Sequence, residues 1–309
     1  MKELRNDLEQ VLQQKQILFK EPLARHTTFR VGGPAELLLT PSAKQLPEVM
    51  RILNKHRCPV TVIGNGSNLL VGDKGIRGAV IEIGSCMSDI SVDGACMTAQ
   101  AGAMLARVAM QAYQSGLSGM EFAAGIPGSV GGAMVMNAGA YGGEMKDIVV
   151  SVDVLDQDGR VVRLAGEEMD FSYRHSCITE QGYLALSAVF HLQKAEPQAI
   201  WDRMEELKER RVSKQPLEYP SAGSTFKRPE GFFAGKLIMD AGLAGFTIGG
   251  AQVSPKHCGF VINRGGASPS DVLAVIRHVQ KTVKEQFGVD LEPEVKLLGE
   301  FAADVQTGE

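Results

Sequence analysis

The feature that most restricts how this chain can fold is a glycine-rich stretch at residues 121–139, in which no side chain after Glu121 carries a charge. Its glycines lie at positions 125, 128, 131, 132 and 139. A solvated linker would be rich in charged side chains, so this composition indicates a buried segment. Glycine permits positive φ angles and lets the backbone approach a flat or anionic group closely. Peptide N–H groups exposed by such turns form an anion cradle, although a tight corner between two packed elements is the simpler alternative.

A second glycine loop lies upstream and favours the cofactor interpretation. Residues 64–68 read GNGSN and follow directly after an apolar segment, Val60–Ile63, that reads as a strand. The loop lacks the third glycine of the fingerprint GxGxxG, and no acidic residue stands convincingly about 20 positions further on to hold a ribose. The lysine and hydroxyl pair of a nucleotide-triphosphate loop is absent as well. The two loops therefore predict a nucleotide-cofactor site of another type.

The overall composition bounds the class of protein. Of 309 residues 44% are hydrophobic and 22% charged, which is usual for a globular protein of about two domains. A formal net charge of −4 argues against nucleic acid or an anionic membrane surface as the main partner. The five scattered cysteines form no CxxC pair, which favours reduced thiols over disulfides or a zinc site. No apolar run approaches the length of a membrane span, so we expect a cytoplasmic protein without metal or membrane insertion.

Periodicity predicts strands and helices in alternation over residues 20–194, which is typical of an α+β or α/β nucleotide-cofactor domain. A docking helix is expected within residues 3–16, a capping box at Ser42 and Gln45, and a hairpin within residues 149–164. Near residue 195 the composition shifts to a charged helix, and a last helix is expected to begin at Ser268. We predict an N-terminal docking helix at 1–19, a first domain at 20–195, a second domain at 196–301 and a tail at 302–309.

Six motifs in a fixed order resemble one enzyme family. They are residues 64–68, 125–132, 173–174, 222–227, 248–252 and 292–295. Together they resemble the UDP-N-acetylenolpyruvoylglucosamine reductases, flavin enzymes of peptidoglycan precursor synthesis, over nearly the whole chain from about Pro22 to Gly299. The resemblance implies an α+β fold. In it, residues 20–195 form a two-part FAD-binding domain of the vanillyl-alcohol-oxidase type and residues 196–301 a smaller α+β substrate-binding domain.

The resemblance also implies the reaction and its cofactors. FAD is expected to bind non-covalently, and NADPH to be the co-substrate that reduces UDP-N-acetylglucosamine enolpyruvate to UDP-N-acetylmuramate. Ten residues are expected to bind FAD: Gly64, Asn65, Gly66, Ser67, Asn68, Leu69, Gly125, Ser129, Gly131 and Gly132. Only a short stretch separates Arg174 from the strand at Tyr183, so the chain resembles the second type of the family. That type lacks a loop whose tyrosine closes over the substrate, and how the site closes instead is left open.

Three side chains are expected to carry the chemistry. Arginine suits two-point binding of a carboxylate, so Arg174 is a candidate, with a surface salt bridge as the alternative. Ser224 lies among small residues and is either a proton donor or a turn serine bonded to its own backbone. Periodicity does not decide whether Glu292 or Glu294 faces inward. The resemblance selects Arg174, Ser224 and Glu294 as catalytic residues, with Ser224 as the proton donor.

Four further residues are expected to contact the substrate, the last three at its diphosphate: Tyr173, Arg211, Lys214 and Lys227. Two other functions fit the same motifs, an FAD-dependent oxidase acting on an alcohol or hydroxy acid and a non-catalytic nucleotide-sugar binder. An oxidase would need an active-site base and often a tethered flavin, and His26 and His56 stand in no such context. The intact catalytic trio disfavours the binder. The sequence does not reveal an oligomeric state, and a monomer is compatible with it.

Overall fold

The structure is a computed structural model that describes residues 2–302. The helices of this range are α1 Lys2–Glu9, α2 Leu46–Lys55, α3 Leu105–Gln114, α4 Val130–Met136, α5 Cys177–Glu180, α6 Pro197–Lys214, α7 Ala234–Asp240 and α8 Pro269–Phe287. The strands are β1 Ile17–Pro22, β2 Pro34–Leu39, β3 Val60–Ile63, β4 Leu69–Val71, β5 Ile76–Glu82, β6 Ile90–Asp93, β7 Cys96–Gln100, β8 Leu117–Ser118, β9 Gly139–Ala140, β10 Gly143–Glu144, β11 Val149–Leu155, β12 Val161–Ala165, β13 Leu184–His191, β14 Gln193–Lys194, β15 Thr247–Ile248, β16 Ala251–Val253, β17 Val261–Asn263 and β18 Lys296–Leu298. The predicted tail at 302–309 lies, apart from its first residue, outside the described residues.

The described residues form two compact units, each assembled from separate chain segments. The first contains the residues up to Leu18, Leu38–Asn65 and Ala79–Arg211, and the second contains Phe19–Leu37, Gly66–Gly78 and the residues from Val212 onward. The GNGSN loop therefore contributes its first two residues to the first unit and the others to the second. The predicted boundary between functional domains near residue 195 stays a prediction.

The first unit is built on a five-stranded antiparallel sheet in the order β12-β11-β13-β7-β6. Its β11–β12 hairpin confirms the hairpin predicted at residues 149–164. Strand β11 alternates a buried Val152 and Val154 with less buried neighbours, as a strand with one face on a core does. Helix α4, which lies within the glycine-rich stretch, packs against β13. The sheet thereby fixes the position of that stretch.

The N-terminal helix is shorter than the sequence indicates. Helix α1 packs on α2 and buries Leu4 and Leu8, but it ends at Glu9. The chain turns there, and the side-chain amide of Gln45 donates to the carbonyl of Val11. The predicted capping box is also only half formed, because Gln45 Oε1 accepts from the Ser42 backbone N–H while the Ser42 hydroxyl donates to Gln45 instead of accepting. Helix α2 therefore begins at Leu46 without a side-chain cap.

The second unit packs helix α8 on the antiparallel sheet β15-β16-β17. The apolar face of α8 is buried from Val272 to Val283, whereas Phe287 at its end is 40% exposed, and each buried side chain contributes about 1.5–3 kcal/mol. The predicted cap at Ser268 is confirmed: its hydroxyl accepts from the Asp271 N–H at 3.0 Å, and the Asp271 carboxylate accepts from the Ser268 N–H at 2.8 Å. Strands β4 and β18 form a parallel pair elsewhere in this unit. That pair joins the GNGSN loop to the segment that carries Glu294.

Candidate active site

The two glycine loops meet within the first unit. The side-chain amide of Asn65 donates to the carbonyl of Pro127 over 2.7 Å. A Cβ added to Gly64 would lie 2.7 Å from Ser129 Oγ, closer than real Cβ atoms approach a neighbour. Glycine at position 64 therefore keeps open a space beside the Ser129 hydroxyl that a larger side chain would fill.

The Ser129 hydroxyl is the clearest sign that something binds there. Ser129 is 3% exposed, and its Oγ is the one buried side-chain polar atom without a hydrogen-bond partner among residues 2–302. Leaving such a group unpaired costs about 1–3 kcal/mol, so native proteins usually give it a partner. An orphaned hydroxyl beside an open glycine surface fits an oxygen of the FAD pyrophosphate. Gly64, Asn65 and Ser129 are the residues that would hold it.

Gly131 lies in the first turn of α4 and holds the glycine-rich stretch in place by close packing. Its N–H donates to the carbonyl of Ala101 over 2.7 Å, and an added Cβ would lie 3.0 Å from the Ala101 Cβ. The N–H of Val130 donates in the same way to Ala103. The peptide N–H groups of Val130 and Gly131 are thus already used inside the protein. Gly132 has more room, since its added Cβ would lie 3.7 Å from Ser129 Oγ.

The rest of the GNGSN loop lies in the second unit, where its residues mainly pack against and bond to neighbouring backbone. Gly66 has φ +62°, and an added Cβ would lie 2.0 Å from the carbonyl oxygen of His26, so only glycine fits. Ser67 is half-buried, and Leu69 pairs with Lys296 at the start of β4. The side-chain amide of Asn68 donates to the carbonyl of Glu294 at 3.1 Å. This part of the loop therefore supports the segment of the predicted catalytic carboxylate.

Arg174 lies at the tip of a tight turn in the first unit. Ser172 and His175 exchange both backbone hydrogen bonds at 3.3 Å, so Tyr173 and Arg174 are the two central residues. Arg174 has φ +57°, a region that L-residues other than glycine rarely occupy. Strain of this kind clusters at functional sites. The guanidinium lies 5.2 Å from the centre of the Tyr173 ring, and Tyr173 is 55% exposed.

Asn137 holds this turn in place, although it was not among the predicted site residues. Its buried amide donates to Glu144 Oε2 at 2.8 Å and to the Ser172 carbonyl at 3.1 Å, while its Oδ1 accepts from the Lys146 N–H at 3.0 Å. The hydrogen bond from the Lys146 side chain, the amide of Asn137 and the charge of Arg174 together lower the pKa of Glu144. Glu144 is therefore a carboxylate near Arg174 in the first unit. An amide side chain within an uncharged, glycine-rich stretch was the signal that could have revealed Asn137.

Ser224 and Glu294 are joined through Thr225 in the second unit. Thr225 is fully buried, and its carbonyl accepts from the Glu294 N–H at 2.8 Å. Its hydroxyl accepts from the Val261 N–H at 2.9 Å, which fixes the segment on a second side. Ser224 itself is exposed, and its hydroxyl makes no hydrogen bond to any residue that the structure describes. The turn serine bonded to its own backbone is therefore not what the structure shows.

The choice between the two carboxylates now favours Glu294. Glu292 is exposed and forms an ion pair with Lys227. Glu294 is half-buried. Its backbone N–H donates to the Thr225 carbonyl, and its carbonyl accepts from the Asn68 side chain. Lys227, expected at the substrate diphosphate, is thus paired with Glu292.

The two other expected diphosphate residues lie in different units. The Arg211 guanidinium lies against Gly125 in the first unit, and Nη1 is 3.1 Å from the position of an added Cβ there. Lys214 is exposed in the second unit, where burial and the charge of Lys214 lower the pKa of His257. Roles for Arg211, Lys214 and Lys227 at a diphosphate therefore stay predictions.

Two further properties concern the described range as a whole. Within residues 2–302, no three His, Cys, Asp or Glu side chains are grouped so that they could hold a metal ion. None of the helices in this range is both long and apolar enough to span a membrane.

Known proteins match the chain over nearly its full length. A family model for the C-terminal domain of UDP-N-acetylenolpyruvoylglucosamine reductase matches residues 215–298, and a model for an FAD binding domain matches residues 34–165. The UDP-N-acetylenolpyruvoylglucosamine reductase of Agathobacter rectalis is 56% identical over 302 residues, which cover 94% of this chain and 96% of that protein. The solved UDP-N-acetylenolpyruvylglucosamine reductase of Thermus caldophilus is 36% identical with a TM-score of 0.79, and the match covers 90% of this chain and 97% of that one.

A more distant solved structure bears on the fold alone. Alkyldihydroxyacetonephosphate synthase is 17% identical with a TM-score of 0.50, over 63% of this chain and 41% of that one. Together the matches confirm the predicted fold class, an α+β protein with an FAD-binding domain of the vanillyl-alcohol-oxidase type and a smaller α+β domain.

Proposed function

The chain belongs to the UDP-N-acetylenolpyruvoylglucosamine reductases, and from this premise we infer that it reduces the enolpyruvyl ether of UDP-N-acetylglucosamine to UDP-N-acetylmuramate. It is an FAD-dependent oxidoreductase with NADPH as the co-substrate. The observation within the structure that carries the proposal is the Thr225 carbonyl, which holds the backbone of Glu294 beside the segment of the accessible Ser224 hydroxyl. A proton donor and a carboxyl group on two segments that a buried residue joins are what protonation beside a carboxylate requires.

Each catalytic residue has a separate part in the proposed reaction. FAD, when bound, supplies hydride chemistry between NADPH and the carbon–carbon double bond of the substrate. Hydride addition to an α,β-unsaturated acid leaves negative charge shared by the α-carbon and the carboxylate. Arg174 binds and stabilises that charge together with Glu294, and preorganised groups of this kind supply about 3 kcal/mol each. Ser224 then donates its proton to the α-carbon.

The proposal includes contacts to the sugar nucleotide and the location of the protein in the cell. Tyr173, Lys214 and Lys227 contact the sugar nucleotide. The ion pair between Lys227 and Glu292 opens when Lys227 binds the substrate. The protein acts in the cytoplasm, without nucleic acid or a membrane as a partner. The net negative charge and the scattered, unpaired cysteines support this part.

Identification of the product tests the proposed function. Purified protein should be yellow, and under anaerobic conditions it should turn over more than one equivalent of NADPH only when the enolpyruvyl sugar nucleotide is present. Mass spectrometry should show that the sugar nucleotide gains two hydrogen atoms. A protein that consumes oxygen with an alcohol or hydroxy acid would be the alternative oxidase, and one that binds the nucleotide without flavin would be the alternative binder.

Arg174→Ala should separate substrate binding from cofactor binding. We expect the variant to hold FAD and to be reduced by NADPH like the wild type, because alanine keeps the Cβ that the strained turn already accommodates. Re-oxidation by the enolpyruvyl substrate should slow roughly 10²–10³-fold, the usual effect of removing one charge-stabilising donor. Stopped-flow absorbance measures both half-reactions. Arg160→Ala, at an exposed arginine of the same unit, is the control.

Loss of flavin from the Arg174 variant would contradict the assignment. Arg174 would then be a structural residue of the first unit and not the residue that binds the substrate carboxylate.

A further inference from the structure

Arg211 lies against the glycine loop in the first unit, at the opposite end of that loop from Ser129. It stands in the last turns of α6. Its Nη1 and Cδ atoms are 3.1 Å and 3.2 Å from the position that a Cβ would take on Gly125. Glycine at position 125 thus allows the guanidinium to pack directly on the backbone of the loop.

The charge of Arg211 has no compensating carboxylate among residues 2–302. Burial lowers its pKa, and the only described group that opposes this effect is Tyr141. The neighbouring Arg210 differs, because it is exposed and paired with Glu206 at 2.5 Å. Withdrawing an unpaired cation from water is unfavourable unless an anion binds beside it. Arg211 is therefore a cation whose position is explained by a negatively charged ligand.

The place of Arg211 along the loop distinguishes the possible anions. The pyrophosphate of FAD has its own candidate group, the orphaned Ser129 hydroxyl beside Gly64. Ser129 lies four positions after Gly125, which corresponds to at most about 14 Å of extended chain. Arg211 packs on Gly125 and not on Ser129, so it is suited to another part of the same cofactor.

We propose that Arg211 faces the ring system of bound FAD and stabilises the negative charge that the cofactor gains on reduction. A hydride carries two electrons and one proton, so its transfer from NADPH leaves NADP⁺ and adds one negative charge to the cofactor. Protein charges near the flavin ring tune its electronic properties in this way. This role rests on the proposed function. It replaces the contact with the substrate diphosphate that was predicted for Arg211 from the sequence.

The reduction potential of the bound flavin tests the proposal. Arg211→Gln, Arg211→Lys and the control Arg210→Gln are prepared as holoenzymes, and their midpoint potentials are measured anaerobically with a reference dye. We expect the midpoint potential of Arg211→Gln to be lower than that of the wild type by at least about 30 mV. For a two-electron couple this is a tenfold loss of preference for the reduced cofactor. Arg211→Lys keeps the charge and should fall between the glutamine variant and the wild type. Arg210→Gln should match the wild type.

Three outcomes would overturn the proposal. An unchanged potential with weaker binding of oxidised FAD would place Arg211 at the pyrophosphate. An unchanged potential with a raised KM for the sugar nucleotide would place it at the substrate diphosphate. The glutamine variant could fail to retain FAD, and the lysine variant then carries the test. A midpoint potential of Arg211→Lys equal to that of the wild type would show that the potential of the flavin ring does not depend on where this charge lies. None of these measurements of potential uses the enolpyruvyl substrate, so failure of the proposed function would be seen separately.

Discussion

Replacing Ser224 by alanine is expected to slow re-oxidation of the NADPH-reduced enzyme by the enolpyruvyl substrate roughly 10²–10⁴-fold. This corresponds to about 3–5 kcal/mol of barrier. The large effect follows from the exposed Ser224 hydroxyl, which makes no hydrogen bond to a described residue and is thus available to donate to the substrate. Reduction by NADPH should stay unchanged, because Ser224 has no part in that half-reaction. Anaerobic stopped-flow absorbance measures the two steps separately.

Two companion variants sharpen the Ser224 experiment. Ser224→Cys should recover part of the rate, because a thiol with a pKa of about 8.5 gives up its proton more easily than a hydroxyl. Ser115→Ala, at an exposed serine of the other unit, should behave like the wild type. If Ser224→Ala re-oxidises within a few-fold of the wild type, Ser224 is not the proton donor and the proton comes from water or from Glu294.

Gly131→Val is expected to yield colourless protein with a lowered melting temperature. The added Cβ would lie 3.0 Å from the Ala101 Cβ and 3.2 Å from its carbonyl oxygen, and the valine methyl groups need further space. Overpacking of this kind costs about 1–3 kcal/mol, and the hydrogen bond from Gly131 N–H to Ala101 is lost as the loop moves away. That movement displaces the neighbouring Ser129 and with it the proposed pyrophosphate site. Bound flavin is measured by absorbance after gel filtration.

Ser129→Ala is a companion variant that tests the same cofactor site without overpacking. Removing a buried hydroxyl that has no partner should leave the apo protein as stable as the wild type or slightly more stable. The affinity for FAD should nevertheless fall roughly 10–100-fold, because a hydrogen bond to a charged group is worth about 1.5–3 kcal/mol. A fully flavinated Gly131→Val protein would rule out the loop as the cofactor site, as would a Ser129→Ala protein with unchanged FAD affinity.

Features set by neighbouring residues were predictable from the sequence. The reciprocal cap at Ser268 and the hairpin of residues 149–164 were found because side chains a few positions apart determine them. The N-terminal helix was predicted too long because its end depends on a distant residue, Gln45, whose amide bonds to Val11. The parallel pairing of β4 with β18 joins residues more than two hundred positions apart, and no local pattern indicates it.

The candidate site shows the same division. Residue type and motif order were enough to select Arg174, Ser224 and Glu294, but the residues that hold them in place were not found. Thr225 and Asn137 act through a backbone carbonyl and a buried amide, and their partners are known only once the chain is folded. Periodicity left Glu292 and Glu294 equivalent, and the difference in their burial and the ion pair of Glu292 with Lys227 separate them.

An anaerobic titration of the wild-type enzyme tests the proposed reaction most directly. NADPH is added first and the enolpyruvyl sugar nucleotide second, while the flavin absorbance is followed. We predict that one equivalent of NADPH bleaches the flavin band and that one equivalent of the sugar nucleotide restores it, with UDP-N-acetylmuramate as the product. A flavin that NADPH bleaches but the sugar nucleotide leaves bleached would contradict the proposed function.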